Sequence, residues 1–434
     1  MTQSSPDPAQ SPRGARILGP SRPGPATARG SAPVVAMIGG GQLARMTHQG
    51  AIALGQTLRV LAADPAESAA QVTADVVLGA HTDLDALRAA ADGADALTFD
   101  HEHVPQEHLH TLVAEGVNVL PPPEALLYAQ DKLAMRRRLA ELGAPVPAFA
   151  PVDTAADVDA FAAAQGGYPV VIKATRGGYD GHGVWMPADG AEAAEIVAAQ
   201  TAAGTELMVE QKVPLRRELS AMAARSPFGQ GAAWPVVESV QRDGVCAVVL
   251  APAPQISDGL AGAAQSLALR LADQLGIVGT FAVELFETEG EDGQPTVLVN
   301  ELAMRPHNTG HWTQDGAVTS QFTQHLRAVL DYPLGDPSAT APVTVMANVL
   351  GAPETPTMSM DERLHHLAGR IPDARVHLYG KGERPGRKLG HVNITGAPGG
   401  SVDDPGYVAA VRECAERAAH WLSHAVWTDG WEGH

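Results

Sequence analysis

Residues 168–185, YPVVIKATRGGYDGHGVW, gather cations and four glycines around the end of an apolar run. Positions 168–172 are short, apolar and β-branched, which reads as a buried strand delivering Lys173 to the point where regular structure stops. Arg176, Gly177, Gly178, Tyr179, Asp180, Gly181, His182 and Gly183 follow, ahead of Val184. Glycines so dense let backbone N–H groups turn toward an anion with no Cβ in the way, the geometry that cradles phosphate oxygens. The loop therefore reads as a lid over a polyphosphate. A mobile hairpin tip is the alternative, and Lys173 weighs against it, because a lysine ending an apolar strand needs an anionic partner or a route to water.

A second constellation lies downstream. Residues 280–286 (TFAVELF) alternate so that Ala282, Glu284 and Phe286 share one face, and 296–301 (TVLVNE) do the same for Val297, Val299 and Glu301. The connection, with Gly290 and Gly293 among acids, is a hairpin signal. Symmetry about Asp292 and Gly293 places Glu284 across from Glu301. Two carboxylates ~5 Å apart on a half-apolar sheet repel, and a shared proton or a divalent cation would relieve them. With a phosphate loop already in view, Mg²⁺ is the favoured reading, since it binds through one or two carboxylates plus substrate phosphates. Arg305, His307 and Asn308 follow at once, and an arginine here suits charge on a transferring phosphoryl group, or else a structural ion pair.

These groups need a scaffold. At 434 residues the chain is too long for one core and fits two to four domains. A net charge of −19 argues against a nucleic-acid scaffold, so any anionic ligand must be held by a local cluster of cations. Cys246 and Cys414 lack metal-ligand spacing, which predicts reduced thiols and an intracellular, cytoplasmic protein. No apolar run approaches the ~20 residues of a membrane span. Residues 1–32, rich in Pro, Ser, Ala, Gly and Arg, are expected to be a disordered extension.

Residues 33–38 read as a buried strand, Gly39–Gly41 as a turn and 42–54 as a helix, with a second strand over 58–63 that ends at Asp64. Gly39, Gly41 and Ala44 fit the dinucleotide fingerprint, and Asp64 stands where a ribose-binding acid would be. A nicotinamide or flavin site and a more general phosphate-binding βαβ unit are both open. Strand 96–99 brings Asp100, His101, Glu102 and His103 to the edge where open α/β sheets bind ligands. Alternation prevents these four from converging on a metal without a turn, so substrate contact or a solvated mouth is expected. A helix is predicted over 124–142, with Lys132 as a surface charge. Further strands are expected at 206–210, 218–224, within 236–249, at 343–350 and at 374–379. Residues 380–391 (GKGERPGRKLGH) then form either a solvated basic face or a second phosphate loop.

Together, IGGGQLARM, FDHEHVP, QDKLAMR, KATRGGYDGHG, RELS, VNELAMRPHNTGHWT and YGKGERPGRKLGH resemble the ATP-grasp superfamily, and within it the N5-carboxyaminoimidazole ribonucleotide synthetases of purine biosynthesis. The resemblance runs from Val34 to about Ile394. It implies a mixed α/β and α+β architecture: an N-terminal open parallel, Rossmann-like domain (33–123), a two-lobed central ATP-grasp domain (124–332) and a small β-rich C-terminal domain (333–434). It also implies the ATP-dependent carboxylation of aminoimidazole ribonucleotide by bicarbonate through carboxyphosphate, in a homodimer. Lys132 and Lys173 would hold phosphates under the lid from Gly178 to Val184; Glu210, Gln211, Lys212 and Val213 would face adenine, and Glu218 the ribose, with Gln241 near the nucleotide. Glu284 and Glu301 would carry Mg²⁺ beside Asn300. Gln42, Leu43, Asp100, Tyr179 and Asp180 would contact the ribonucleotide, with Lys381, Arg387 and Lys388 on its phosphate, and Asp180, Arg305, His307 and Asn308 would surround the reacting groups. Gln241 stands where many members have histidine, Asp100 where glutamate is usual, Ala44 for a glycine and Met304 for a proline. Another ATP-grasp ligase, an NAD-dependent oxidoreductase and a non-catalytic nucleotide sensor are the competing readings.

Overall fold

The computed structural model describes residues 32–178, 182–290 and 292–431. The expected extension, up to residue 31, lies outside them. The first unit is a parallel sheet in the order β3-β2-β1-β4, made of β1 (Val34–Ile38), β2 (Thr57–Ala62), β3 (Asp75–Leu78) and β4 (Ala96–Phe99). β1 and β4 are near-continuous apolar runs because helices cover parallel strands on both sides; here these are α1 (Gln42–Ala53), α2 (Leu84–Ala91) and α3 (Gln106–Ala114).

The glycine turn between β1 and α1 is packed against acids of its own protein. Glu67 Oε2 accepts from Gly40 N at 3.0 Å, and Asp100 accepts from Gly41 N at 3.1 Å and Ala44 N at 2.8 Å. A carboxylate at a helix N-terminus answers both the open N–H groups and the dipole. A Cβ on Gly40 would overlap Glu67, and one on Gly41 would overlap Asp100.

The helix predicted over 124–142 is two helices, α4 (Pro123–Gln130) and α5 (Lys132–Glu141). Asp131 breaks the run: its backbone is extended, and its side chain accepts from Ala134 N at 2.9 Å, so it caps α5. Lys132 becomes the first residue of a new helix.

The small lobe is an antiparallel sheet in the order β5-β8-β6-β7: β5 (Phe149–Val152), β6 (Val171–Ala174), β7 (Val184–Trp185) and β8 (Leu207–Glu210). Helices α6 (Ala155–Ala164) and α7 (Gly190–Ala202) pack on it. β6 starts three residues later than expected, which puts Lys173 inside the strand.

The remaining strands form one nine-stranded sheet. Its order is β14-β13-β9-β11-β12-β15-β17-β16, with β10 on β9. They are β9 (Arg217–Arg225), β10 (Gly231–Ala233), β11 (Val237–Arg242), β12 (Val245–Ala251), β13 (Gly279–Glu289), β14 (Pro295–Ala303), β15 (Thr344–Leu350), β16 (Arg375–Leu378) and β17 (Lys388–Thr395). The helices are α8 (Asp258–Gln274), α9 (Thr313–Gly316), α10 (Gln321–Val329), α11 (Met360–Arg370) and α12 (Pro405–His424). Because β12 pairs with β15, the sheet runs unbroken from the large lobe into the C-terminal region. On one face Leu219, Ala221, Phe281, Val283 and Leu285 join Leu267 and Leu271 of α8 in a buried core. Period-two alternation then turns Glu218, Ser220 and Glu284 to the other face; Glu301, which plain alternation grouped with Val297 and Val299, joins them only because β14 carries an extra residue that parts it from those two core valines.

Replacing Gly41 by Ala drives a methyl into the Asp100 carboxylate at the α1 cap. We expect a loss of about 2 kcal/mol or more in urea denaturation; an unchanged midpoint would show that the turn can relax.

Candidate active site

The opposed carboxylates owe their pairing to an irregularity in the hairpin. From Glu289↔Pro295 to Leu285↔Val299 the two strands keep one register; an extra residue, Asn300, then shifts it so that Glu284 faces Glu301. Without this bulge Glu284 would face Asn300. The predicted pair is present, and each carboxylate also meets a cationic or hydrogen-bonding group of the protein itself. Lys132 Nζ lies 2.6 Å from Glu301 Oε1, and His307 Nε2 lies 3.0 Å from Glu284 Oε1. Burial pushes the Glu284 carboxyl up, but the His307 hydrogen bond and charge, with Lys132 and Arg305 behind it, hold it below the usual carboxylate range. Lys132 is therefore no surface charge. It is mostly buried, reaching the sheet from the first turn of α5.

Glu218 completes the acidic face from β9. Burial and the neighbouring Glu284 push its carboxyl up to about 7, against a hydrogen bond from Gln241. Gln241 Nε2 also donates to Ser239 Oγ at 3.0 Å.

Lys173 reaches the same region from the small lobe. Its Nζ lies 2.8 Å from Glu210 Oε2 and donates to Asn300 Oδ1 at 3.2 Å. Glu210 is itself buried between Lys173 and Arg136, whose Nε is 2.5 Å away. Burial raises its carboxyl, and the two cations more than offset that, leaving it low. The Glu210 side chain expected at adenine is thus turned inward; Gln211 to Val213 remain for a base. Sequence reasoning passed over Arg136. The signal was there: it lies four residues after Lys132, on the same helix face.

The lid leaves and rejoins the small lobe through a tight neck. Ala174 N donates to Gly183 O at 2.8 Å, and Gly178 lies beside Lys132 Cε. Lys132 N donates to Thr175 O at 2.8 Å, and Arg176 pairs with Asp131 at 2.8 Å, which ties the lid root to the start of α5. His182 and Val184 are exposed at the neck; Tyr179, Asp180 and Gly181 lie outside the described residues.

Beyond β14, Arg305 Nε pairs with Glu102 Oε2 at 2.6 Å. Asn308 Nδ2 is buried beside the Cys246 thiol. Of the four polar residues after β4, Asp100 caps α1, Glu102 holds Arg305, and the His101 and His103 rings stack 5.5 Å apart. They diverge, so they do not form a metal cluster.

Between the C-terminal edge of the parallel sheet and the basic loop after β16 lies a cavity of about 520 Å³. Gly39–Gly41, Asp64, Glu67 and His101 line one side, Lys381 and Arg387 the other. Lys381 Nζ donates to Gln42 Oε1, joining two of the expected ribonucleotide contacts. Asp100 lies in the cavity wall, although its two oxygens serve α1. Leu43 does not face the cavity with its side chain: it is buried in the α1 core. Lys388 begins β17. The turn amides that a dinucleotide would use are already bonded to Glu67 and Asp100, which argues against the nicotinamide reading.

A lysine-bearing small lobe with a glycine-rich lid, set against a large antiparallel sheet carrying in-register carboxylates, defines an ATP-grasp enzyme. Three family models match in chain order: a ribonucleotide synthetase preATP-grasp domain over residues 33–130, an ATP-grasp domain over 137–322 and a phosphoribosylaminoimidazole carboxylase C-terminal domain over 344–404. The chain belongs to the N5-carboxyaminoimidazole ribonucleotide synthase family. It is 65% identical to the synthase of Mycobacterium leprae over 93% of this chain and 92% of that one. The synthetase structure from Thermus thermophilus superposes with a TM-score of 0.76 at 34% identity, covering 92% of this chain and all of that one. A synthase from Aspergillus clavatus, solved with ADP and 5-aminoimidazole ribonucleotide, gives 0.77 at 29% identity over 89% and 99%.

Glu218 yields a stability signature. Its folded value of about 7 lies above the ordinary 4.5, so the native state holds a proton that the unfolded chain has released, and its contribution to stability fades as pH rises from about 4.5 through 7. In buffer free of nucleotide and metal, Glu218→Gln should therefore melt close to the parent below pH 5 and above it beyond pH 7.5. A melting difference that does not vary with pH would contradict this.

Proposed function

We propose that this chain carries out its family's reaction with bicarbonate as carbon source and magnesium as metal, at the seam between the acidic sheet face and the basic cavity. The reaction is the ATP-dependent carboxylation of 5-aminoimidazole ribonucleotide to N5-carboxyaminoimidazole ribonucleotide. The observation that carries the site assignment is the in-register Glu284–Glu301 pair, met by Lys132 beside the lid root. Glu284, Glu301 and the Asn300 amide oxygen are hard oxygen donors and fit Mg²⁺. When bound, the ion neutralises phosphate oxygens and orients them for in-line transfer. Lys132 and His307 keep the two carboxylates in place until nucleotide arrives.

A bicarbonate oxygen attacks the γ-phosphorus, the bond to the ADP oxygen breaks, and carboxyphosphate forms. The exocyclic amine of the ribonucleotide then attacks the carbon, phosphate leaves with the C–O electron pair, and the proton lost by the amine nitrogen passes to the departing phosphate. Arg305 remains charged beside Glu102 and stabilises the negative charge on the transferring group. The Asn308 amide, beside the Cys246 thiol, can donate to a carboxylate or phosphoryl oxygen. Lys173 and the lid hold phosphates and exclude the water that would hydrolyse carboxyphosphate. In the cavity, Lys381 and Arg387 take the phosphate of the ribonucleotide, and the acidic edge at Asp64 and Glu67 suits ribose hydroxyls. A cytoplasmic homodimer belongs to the same reading and is carried by the resemblance alone.

Coupled ADP release should require ribonucleotide and bicarbonate together and fall to background when either is omitted. Full-rate release without the ribonucleotide would assign a different acceptor. In the same assay Glu301→Gln should lose at least about 100-fold in kcat while keeping the parent's circular dichroism; near-normal turnover would remove the proposed metal role.

A further inference from the structure

The loop that carries Lys381 and Arg387 is fastened from behind by a charge that plays no part in the site described above. Arg363 of α11 is fully buried, and a buried guanidinium needs partners on every edge. Its Nη1 donates to Leu422 O at 2.5 Å and Ser423 O at 3.3 Å, carbonyls in the last turn of α12. Its Nη2 donates to Glu383 Oε1, in the middle of the basic loop. Trp421 Nε1 donates to the Arg363 carbonyl at 2.8 Å and fixes the arginine against α12. The loop's other end is held at Gly351, whose N–H donates to Arg387 O at 2.8 Å and whose carbonyl accepts from Gly386 N at 2.9 Å.

We propose that Arg363 is a positioning residue for the ribonucleotide: through Glu383 it holds Lys381 and Arg387 over the cavity before substrate arrives. Lifting the loop would leave a buried guanidinium facing only carbonyl oxygens, a cost that biases the loop toward the closed position. Within the loop, Glu383 is also the acid among Lys381, Arg384, Arg387 and Lys388 and offsets their mutual repulsion. A cation loop held in place binds phosphate without paying to order itself. The inference rests on the reading that Lys381 and Arg387 grip the phosphate of the ribonucleotide.

Steady-state kinetics on the full chain separate the two. Lys381→Ala tests the reading and should raise the KM for aminoimidazole ribonucleotide; an unchanged KM there would overturn the site itself. Glu383→Gln tests the tether. It should raise the same KM by about tenfold, as expected for loss of one charge-assisted contact that orders a loop, with KM for ATP and kcat within about twofold. Glu383→Asp should recover part of the loss. If Lys381→Ala shifts the KM and a folded Glu383→Gln does not, or if both KM values move together, the positioning role is overturned.

Discussion

Everything in this active site depends on two carboxylates being held close together on one sheet face. Two unit charges ~5 Å apart repel by about 3 kcal/mol at an effective dielectric of ~20, comparable with what one good ion pair returns. The fold answers each acid with a separate group: Lys132 for Glu301 and His307 for Glu284. That solution fixes much else. The hairpin must carry a bulge at Asn300, the helix after the first domain must break at Asp131 so that Lys132 points at the sheet, and the chain after β14 must turn back to bring His307 over β13.

The same economy of charge shapes the first domain. Its glycine turn has the outline of a phosphate-binding loop, yet the anions that satisfy its N–H groups are Glu67 and Asp100. Geometry that elsewhere holds a pyrophosphate here anchors the sheet edge to α1 and leaves a cavity outside it. The cations facing that cavity come from more than 300 residues further along the chain, in the loop after β16. A cavity assembled from two distant segments exists only when the first and last regions are docked, which the hydrogen bonds of Ser68 to Tyr379 O and of Gln71 to Gly380 O help secure.

Local pattern made part of this legible. The 280–301 hairpin and the facing of Glu284 and Glu301 were legible from alternation and loop symmetry, but the register along the rest of the hairpin is one residue off that symmetry and only the bulge at Asn300 restores the pair; the lid and basic loop announced themselves by glycine and charge. The break at Asp131 was hidden because residues 123–142 are good helix formers on both sides of it, and only a cap distinguishes two helices from one. The inward turn of Glu210 was equally hidden, since its partners Arg136 and Lys173 lie on other elements and periodicity does not say which cation an acid will meet. The nine-stranded sheet escaped for a related reason: β12 and β15 are some 90 residues apart, and their pairing leaves no local mark.

A chain with a net charge of −19 must still attract a triphosphate and a phosphorylated ribose. It does so by local imbalance. Around Glu210 two cations share one acid, which leaves a positive excess under β6 where the lid begins. In the basic loop Glu383 is drawn back into its pair with Arg363, so Lys381 and Arg387 face the cavity without that acid beside them. At Arg305 and Lys132 the pairs are one to one, with Glu102 and Glu301, so any anion that engaged either cation would have to displace a carboxylate.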